Sequence, residues 1–324
     1  MILIDRATVH AQLRLRDCIA LLRPAMIALA RGETRQLLRG IIDLDAGRAF
    51  GVMPGALGAG AAFGAKLISV YPENFHQGKQ SHQGVVALFD PADGAPVALV
   101  HAGEITAIRT AAASALATDA LARRDATRLA VLGYGEQAAQ HVAAMACVRE
   151  IADVRVWGRS PERTAGFVAR VGTSTGLHLT AAATVRDAVD DADIVCTTTA
   201  SAEPVLLGEW IAPGTHLNLV GSSRAGPVEV DHAVVMRSRF YADHREGVLR
   251  QGAEFLRAKA AGLVDDDHVL GEIGAVLDGT LPGRLADADV TVYKSLGSIV
   301  QDLACAWWLY ERARDEGFGV RVPF

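Results

Sequence analysis

Hydrophobic residues follow two different periodicities along this chain. In the first third, residues 9–29 carry apolar side chains at helical spacing, and residues 104–122 have the pattern of an alanine-rich helix. Between them, short apolar runs alternate with turn sequences such as Asp90-Pro91-Ala92-Asp93-Gly94, which predicts antiparallel strands. The strand segments, the first of them divided by a turn at residues 45–47, are 41–53, 64–70, 85–89 and 96–101.

From residue 129 the pattern changes to strands that alternate with helices. Such alternation is typical of a parallel, doubly wound sheet. The predicted strands are 129–132, 154–157, 177–179, 194–197, 216–220 and 239–242, and the predicted helices are 136–147, 161–171, 185–189 and, near the end of the chain, 295–314. The sequence therefore predicts an α/β protein: a doubly wound parallel sheet preceded by an α+β region.

Composition and charge exclude several classes of protein. The chain has 324 residues, enough for roughly two domains of about 150 residues each. Half of the residues are hydrophobic and 21% are charged, which is a globular composition. The net charge is −5 and no basic stripe is present, so we do not expect a nucleic-acid partner. The four cysteines have no metal-ligand spacing, and we expect no metal site.

The chain offers no candidate for a membrane span or a secretory signal. No run of about 18 apolar residues lacks a charge. Met1-Ile2-Leu3-Ile4-Asp5 has an acid where a signal peptide has basic residues. We therefore expect a cytoplasmic protein that does not bind membranes.

A glycine-rich turn follows the predicted strand 129–132. Its sequence, Gly133-Tyr134-Gly135-Glu136-Gln137-Ala138, has the G-x-G-x-x-A pattern and leads into a predicted helix. The first glycine permits the tight turn, the second lets the backbone approach a pyrophosphate, and the helix N-terminus offers free N–H groups. Because strand, turn and helix occur in the required order, the segment predicts a dinucleotide-binding Rossmann domain.

The second strand of this region, residues 154–157, ends without an acid. NAD sites carry Asp or Glu there to bind the ribose hydroxyls, whereas Asp153 precedes the strand and lies at the wrong end. Arginine suits a 2′-phosphate because its planar group can bond two oxygens. We therefore expect NADP(H) in preference to NAD(H), held by the residues that follow the strand, which are Gly158, Arg159, Ser160 and Arg163.

Two cations lie in apolar surroundings in the first third of the chain. Lys66 lies within the strand segment 64–70, and Arg109 interrupts the helix segment 105–112. A buried cation is costly unless it is paired, so the two residues indicate a site for an anion, most simply a carboxylate. The alternative is that each lies on an exposed edge of its strand or helix.

Several short segments look familiar when they are taken together and in order. They are Gly64-Ala65-Lys66, Ala107-Ile108-Arg109-Thr110-Ala111-Ala112, the turn at Gly133, Glu203-Pro204, Gly208-Glu209-Trp210, Asn218-Leu219-Val220-Gly221 and Lys294-Ser295-Leu296-Gly297. This ordered set resembles the ornithine cyclodeaminase/mu-crystallin family over essentially the whole chain. The resemblance implies a homodimer, an α+β domain of residues 1–115 and 298–324 for dimerisation and substrate binding, and a Rossmann domain of residues 116–297. The active site is then expected in the cleft between the domains.

The resemblance also implies which residues hold the substrate and move a proton. In the family, an Arg near the position of Arg35, the Lys of the G-x-K strand and the Arg of the I-T-A-x-R-T segment bind the substrate carboxylate. These positions correspond to Arg35, with Arg39 as a competitor, and to Lys66 and Arg109. The proton donor is left open: burial lowers the pKa of a lysine such as Lys66 toward neutrality, and His82 has an ordinary pKa near neutrality.

The cofactor site implied by the motif and the resemblance is larger than the glycine turn. Thr198 and Thr199 end a predicted strand, although β-branched residues also suit strands for propensity alone. Lys294 and Ser295 either reach the cofactor or begin a solvated helix. The residues expected to contact the dinucleotide are Ser81, Thr110, Gly133, Tyr134, Gly135, Glu136, Gln137, Gly158, Arg159, Ser160, Arg163, Thr198, Thr199, Val220, Lys294 and Ser295.

One departure from the family pattern bears on the reaction. Ornithine cyclodeaminases carry an Asp two residues after the first Gly of a V-G-G-D segment, where this chain has Ser223. Serine can hydrogen-bond but cannot act as a base near neutral pH or pair with an ammonium group. The resemblance then implies the reductase branch, which reduces a C=N bond next to a carboxylate. The best guess is a cyclic ketimine, Δ1-pyrroline-2-carboxylate or Δ1-piperideine-2-carboxylate, reduced to L-proline or L-pipecolate.

Other functions remain open at this point. An amino-acid dehydrogenase would condense ammonia with a 2-oxo acid such as pyruvate. A reductase of an acyclic imine such as iminosuccinate would need a cation for the second carboxylate, for which Arg224 or His82 could serve. Ornithine cyclodeamination is a further alternative. A non-catalytic NADPH-dependent binding protein is the last, and the pair Lys66 and Arg109 argues against it because such a protein needs no carboxylate site.

Overall fold

The computed structural model describes residues 1–323, apart from the side chains of Ala46, Phe75 and His76. The chain divides into two compact units, of which the first is Met1–Thr110 together with Ser298–Phe324 and the second is Ala111–Gly297. The boundary falls within one long helix, Ala102–Leu121. The sequence analysis places the domain boundary between residues 115 and 116 of the same helix.

The elements are numbered in chain order. The strands are β1 Ile2–Ile4, β2 Arg35–Gln36, β3 Gly40–Asp43, β4 Ala49–Ala56, β5 Phe63–Val70, β6 His82–Phe89, β7 Pro96–His101, β8 Arg128–Leu132, β9 Asp153–Trp157, β10 Leu179–Ala181, β11 Ile194–Thr197, β12 His216–Leu219, β13 Ser238–Ala242, β14 Val269–Glu272, β15 Val290–Lys294 and β16 Val320–Arg321. The α-helices are α1 Arg6–Gln12, α2 Leu15–Ala30, α3 Ala102–Leu121, α4 Glu136–Met145, α5 Pro161–Thr175, α6 Val185–Val189, α7 His232–Arg237, α8 Arg245–Gln251, α9 Ala253–Ala260, α10 Ile273–Leu277 and α11 Ile299–Glu316. Among the described residues, no helix combines the length and the apolar character needed to cross a bilayer.

The first unit is built on a mixed sheet. Its strand order is β16-β1-β7-β6-β5-β4-β2, with β3 paired to β4, and the strands from β4 to β7 form an antiparallel meander. Helix α11 packs on one face: a Cβ placed on Gly64 of β5 would lie 3.3 Å from the side chain of Leu303. Strand alternation puts Lys66 on this covered face and Leu67 on the opposite face.

The second unit is a parallel sheet with strand order β10-β9-β8-β11-β12-β15-β13-β14. Its central strands β8 and β11 are buried along almost their whole length, as expected when both faces of a parallel sheet are covered. The order places β8, which leads into the glycine turn, beside β9 on one side and β11 on the other. The doubly wound parallel sheet predicted from the alternation of strands and helices is confirmed.

Most elements predicted from periodicity are confirmed, but several boundaries differ. The predicted helix 9–29 is two helices, because Arg14 adopts an extended conformation between α1 and α2. The last helix begins at Ile299, not at residue 295: Lys294 ends β15, and Gly297 has a φ of +83°. Strand β10 starts at Leu179 because α5 continues to Thr175 and ends at the left-handed Gly176.

Several short elements are absent from the sequence prediction, among them β14, β16 and the helices from α7 to α10. Their apolar runs are too short to show a period. Strand β16, for example, has two residues and exists because it pairs with β1, with Ile2 opposite Arg321. Such elements depend on partners that are distant in the chain.

Candidate functional site

A lysine lies buried in the middle of strand β5. Lys66 is on the covered face of the sheet, and its Nζ donates hydrogen bonds to Thr106 Oγ1 at 2.6 Å and to Asp302 Oδ1 at 3.0 Å. Thr106 belongs to α3 and Asp302 to α11. The lysine is thus buried and paired, not exposed at a strand edge.

An arginine shares the same carboxylate. Arg109 of α3 is buried, and its Nε donates to Asp302 Oδ1 at 3.1 Å while its Nη1 donates to Gln301 Oε1 at 2.8 Å. Asp302 is fully buried. We refer to Lys66, Arg109 and Asp302 as the buried charge cluster.

The sequence analysis missed Asp302. The sequence pattern around Asp302 could have identified it. The segment 299–306 is apolar apart from Gln301 and Asp302, and a buried acid within an apolar helix needs a cation as its partner. Which cations meet it is decided by the packing of α11 against the sheet. The cluster joins residues that are 193 and 236 positions apart in the chain.

The buried charge cluster carries one positive charge in excess. Burial lowers the pKa of Lys66 to about 8, against the opposing attraction of Asp302, so the ammonium is protonated at neutral pH. Burial alone would raise the pKa of Asp302, but Arg109 and Lys66 outweigh it and hold that pKa below its ordinary value. Two cations therefore face one carboxylate. An uncompensated charge in a buried place is costly, so the cluster favours the binding of an anion.

Unused hydrogen-bond donors remain in the cluster. An ammonium group has three N–H donors and a guanidinium has five. Within the described part of the chain, Lys66 uses its donors on Thr106 and Asp302, and Arg109 uses Nε and Nη1. The remaining donors of Arg109 include its Nη2 group, which with Nη1 forms the fork that binds a carboxylate through both oxygens.

His82 lies at the start of β6, and its Nδ1 is 2.9 Å from Ser81 Oγ. Loss of solvent contact lowers the pKa of His82 to about 4, and the positive charges of Lys66, Arg109 and Arg39 act in the same direction. At neutral pH the ring is therefore neutral. His82 fits a hydrogen-bonding role better than that of an acid.

The two arginines left open by the sequence are placed differently. Arg39 is partly buried, and its charge lowers the pKa of both Lys66 and His82, so it lies near the cluster. Arg35 is exposed, and its Nη1 donates to Gly32 O at 3.2 Å. Strand β2 pairs at the sheet edge and leaves the Arg35 side chain in solvent, so a role for Arg35 in substrate binding stays a prediction.

The glycine turn of the second unit has the form of a phosphate cradle. Gly133 has a φ of +126°, and a Cβ there would lie 2.6 Å from Thr198 Oγ1. Gly135 is the N-cap of α4, and a Cβ there would meet nothing within 4 Å. The space in front of the helix N-terminus is therefore open, and its N–H groups fit a pyrophosphate. A Cβ on Gly158 would collide with the ring of Tyr134.

The end of strand β9 is basic. Arg159 and Arg163 are exposed, and Ser160 is the N-cap of α5, accepting a hydrogen bond from Arg163 N at 3.3 Å. Asp153 begins β9 at the opposite end and accepts from Arg155 Nε at 3.1 Å. No acid follows Trp157 within the next four residues.

The remaining expected cofactor residues are in varied environments. Thr198 Oγ1 donates to Leu132 O at 3.0 Å, and Thr199 gives both its hydroxyl and its N–H to Glu229. Lys294 is fully buried, and its ammonium binds Glu254 at 2.7 Å.

The structure thus brings the second-unit residues to the carboxyl ends of β8, β9, β11, β12 and β15 or to the start of α4. Of the expected residues, Ser81 and Thr110 lie in the first unit, and Gly133, Tyr134, Gly135, Glu136, Gln137, Gly158, Arg159, Ser160, Arg163, Thr198, Thr199, Val220, Lys294 and Ser295 lie in the second.

Comparison with known proteins gives consistent matches over the whole chain. The chain is 34% identical to the ketimine reductase mu-crystallin of Mus musculus over 309 residues, which is 93% of this chain and 95% of that protein. Among solved structures, the Thermococcus litoralis Δ(1)-pyrroline-2-carboxylate reductase in complex with NADH and L-proline has a TM-score of 0.95 at 32% identity, covering 99% of this chain and all of the other.

A third relative has a different substrate in its name. The iminosuccinate reductase of Paracoccus denitrificans, in complex with NAD+, has a TM-score of 0.92 at 30% identity and covers 100% of this chain and 99% of its own. The sequence model of the ornithine cyclodeaminase/mu-crystallin family matches residues 1–317. The chain therefore belongs to the ornithine cyclodeaminase/mu-crystallin family.

Proposed function

We propose that this protein is an NAD(P)H-dependent reductase of a C=N bond next to a carboxylate. The observation that carries the proposal is the buried charge cluster, whose excess positive charge and unused N–H donors suit a carboxylate. The relatives described above are named as reductases of a ketimine, of Δ(1)-pyrroline-2-carboxylate and of iminosuccinate, which are imines of this kind. The preferred substrate is a cyclic ketimine, Δ1-pyrroline-2-carboxylate or Δ1-piperideine-2-carboxylate, which gives L-proline or L-pipecolate.

Arg109 and Lys66 bind the substrate carboxylate in this proposal. Asp302 holds the two cations together through one oxygen, so their spacing is set before the substrate arrives. A carboxylate held in this way fixes the position of the adjacent imine carbon, and orientation of this kind supplies much of the rate enhancement. The nicotinamide, when bound, supplies the hydride.

Lys66 is the proton donor in preference to His82. An imine accepts a hydride well only when its nitrogen is protonated, so the site needs a group that carries a proton near neutral pH. With a pKa of about 8, Lys66 is protonated there, whereas His82 with a pKa of about 4 is not. Asp302 and Thr106 keep the ammonium in place through two of its N–H groups, which leaves the third for the ligand.

The cofactor is held by the glycine turn and the basic end of β9. Gly133 and Gly135 shape the cradle, and the first turn of α4, which includes Glu136 and Gln137, presents N–H groups to the phosphates. Arg159 and Arg163 support NADP(H) over NAD(H), because two exposed guanidinium groups stand where an NAD site has an acid.

We propose further that the chain forms a homodimer in the cytoplasm. The face of the first sheet opposite α11 is apolar: Phe63 and Leu67 are 37% and 36% exposed, and the Phe63 ring stacks on Phe89 at 5.5 Å. An exposed apolar sheet face of this kind is typical of an interface. The four cysteines are free thiols, which suits a reducing compartment.

A reductase of an acyclic imine with two carboxylates, such as iminosuccinate, is the second candidate. The observation that favours it is Arg39, a further cation whose charge acts on both Lys66 and His82. A second substrate carboxylate would find a partner there. Ornithine cyclodeamination has less support, because Ser223 stands at the position of the family's acid.

The test is oxidation of NADPH and of NADH with Δ1-pyrroline-2-carboxylate, Δ1-piperideine-2-carboxylate, iminosuccinate, and pyruvate with ammonia. We expect the cyclic imines to be turned over fastest, with NADPH preferred. Lys66→Ala should lose the activity, whereas Lys259→Ala, which removes an exposed lysine of α9, should keep it. Turnover of iminosuccinate alone would transfer the proposal to the second candidate, and tight NADPH binding without any turnover would indicate a binding protein.

A further inference from the structure

A fully buried carboxylate links two loops of the second unit. Glu229 accepts four hydrogen bonds: from Thr197 Oγ1 at 2.7 Å, from Thr199 N at 2.6 Å, from Thr199 Oγ1 at 2.8 Å and from Gly221 N at 2.7 Å. Both carboxylate oxygens are used, each by two donors. Glu229 lies outside every α-helix and strand of the sheet, so its place is defined by these bonds and by the bridge that its neighbour Val230 forms with Leu206.

The donors belong to the carboxyl ends of two adjacent parallel strands. Thr197 is the last residue of β11 and Thr199 follows it, whereas Gly221 follows the end of β12. The two loops are in close contact, since a Cβ on Gly221 would collide with Thr199 O and lie 2.5 Å from Glu229 Oε1. In open parallel sheets, ligands bind at the carboxyl ends of the strands.

A buried ion pair extends this arrangement to the next strand. Lys294, the last residue of β15, is 2.7 Å from Glu254 Oε2 and donates to Ser222 O at 2.5 Å. Glu254 Oε1 in turn accepts a long hydrogen bond of 3.4 Å from the Glu229 backbone N–H. The buried side chains of Glu229, Glu254 and Lys294 therefore hold the loops after β11 and β12 in place from the interior of the unit.

We propose that Glu229 is a positioning residue for the dinucleotide, which fixes the loops after β11 and β12 in the form that receives the cofactor. The inference rests on the proposed function, since it assumes that the second unit binds a dinucleotide. Glu229 is fully buried and bonded to the protein through both oxygens, so it acts through Thr199 and Gly221 and not by its own contact with the cofactor. Lys294 acts in the same way through Ser222, which differs from the direct cofactor contact expected from the sequence.

The same sheet contains a matched control at its other end. Asp193 directly precedes β11, is buried, and accepts from Thr127 N and Arg128 N at 3.0 Å each and from Arg123 Nη2 at 2.6 Å. It therefore links the amino ends of β8 and β11 with the same chemistry that Glu229 uses at the carboxyl end of β11. If Glu229 had a purely structural role, replacing either carboxylate would have the same effect on the affinity for NADPH.

The experiment compares Glu229→Gln with Asp193→Asn in the full chain. Glutamine keeps the shape but replaces one acceptor oxygen by an NH2 group, which confronts either Thr199 N–H or Gly221 N–H as a second donor. We expect the Kd for NADPH, measured by titration calorimetry without substrate, to rise roughly tenfold or more in Glu229→Gln. In Asp193→Asn it should change less than about twofold although thermal stability falls.

Three outcomes decide between the explanations. An NADPH affinity that falls equally in both variants, or in neither, overturns the inference while the proposed function stands. A wild-type protein that binds neither NADPH nor NADH overturns the proposed function together with it. If Glu229→Gln does not fold, Thr197→Val removes one donor to Glu229 from a fully buried strand position, and the same selective loss of affinity, smaller in size, is expected.

Discussion

Lys66 Nζ and Asp302 Oδ1 lie 3.0 Å apart, and both side chains are almost completely buried. One belongs to the middle of β5 and the other to the first turn of α11. Asp302 also accepts a hydrogen bond from Arg109, so one carboxylate sets the spacing of two cations. This arrangement leaves the cluster positively charged, and the shared carboxylate offsets part of the repulsion between the two cations, which suits a preformed site for a carboxylate.

Replacement of Asp302 by Asn should disable the site. The attraction of Asp302 raises the pKa of Lys66, so its removal moves that pKa below about 8. We expect kcat/KM at pH 7.5 to fall at least roughly tenfold, and the alkaline limb of the pH profile to shift to lower pH. Breaking a buried pair should also cost about 3 kcal/mol of unfolding free energy, measured in urea. Asp17→Asn, an exposed change on α2, is the control, and an unshifted pH profile in Asp302→Asn would contradict the assignment.

The pH dependence of the wild-type enzyme should report Lys66. Since the reduction needs a protonated donor, kcat at saturating NADPH should fall as the pH rises through about 8. His82→Gln should keep this limb. A rate that instead falls as the pH rises through about 4, and that does not change between pH 7 and 9, would assign the proton to His82, whose pKa is about 4.

The same shift has a consequence for stability. The pKa of Lys66 is lower in the folded protein than its ordinary value of 10.5, so the unfolded chain binds the proton more strongly. The contribution of this group to the free energy of unfolding should therefore rise with pH between about 8 and 10.5. Lys66→Met should remove this part of the pH dependence, which urea unfolding at several pH values would measure.

Arg159→Ala should reduce the preference for NADPH. Loss of an arginine that binds a 2′-phosphate through two oxygens is expected to raise the KM for NADPH roughly tenfold and to leave the KM for NADH nearly unchanged. Arg170→Ala, which removes an exposed arginine of α5, is the control. Equal effects of Arg159→Ala on the two cofactors would show that the residue does not contact the 2′-phosphate.

The two glycines of the cradle should respond differently to alanine. At Gly133, the φ of +126° and the nearby Thr198 Oγ1 make a side chain incompatible with the fold, so Gly133→Ala should lower the melting temperature. At Gly135, the φ of −87° and the open space permit a methyl group. Gly135→Ala should therefore fold with normal stability and yet bind NADPH at least roughly tenfold more weakly, because the methyl group occupies the space of the pyrophosphate. Normal binding by a stable Gly135→Ala would place the phosphates elsewhere.

Leu67→Lys should separate the proposed dimer. The change puts a charge in the middle of the exposed apolar sheet face, on the side opposite Lys66. Light scattering coupled to size-exclusion chromatography should show a monomer for this variant. Met236→Lys, at a somewhat more exposed apolar position of α7 in the second unit, should leave the mass unchanged. A wild-type monomer would reject the interface.

Local sequence was sufficient to locate the glycine turn between β8 and α4. The G-x-G-x-x-A turn depends on backbone conformations within six residues. The alternation of strands and helices around it places the turn at the carboxyl end of β8. The absence of an acid after β9 is also a local property, visible in Gly158-Arg159-Ser160. Lys66 and Arg109 are also recognisable from the sequence, because burying a cation in an apolar segment costs free energy unless the charge is paired.

Tertiary structure decided how those residues are used. Nothing near Lys66 in the chain shows that Asp302, 236 positions away, is its partner, because the packing of α11 on the sheet brings them together. That the Arg35 side chain lies in solvent depends on how β2 pairs at the sheet edge, whereas the charge of Arg39 acts on His82. Glu229 belongs to none of the motifs read from the sequence: its hydrogen bonds form because two parallel strands that are adjacent in the sheet end at the same place. Periodicity and turn chemistry are short-range properties that a sequence displays directly, whereas the pairing of buried charges follows from long-range packing.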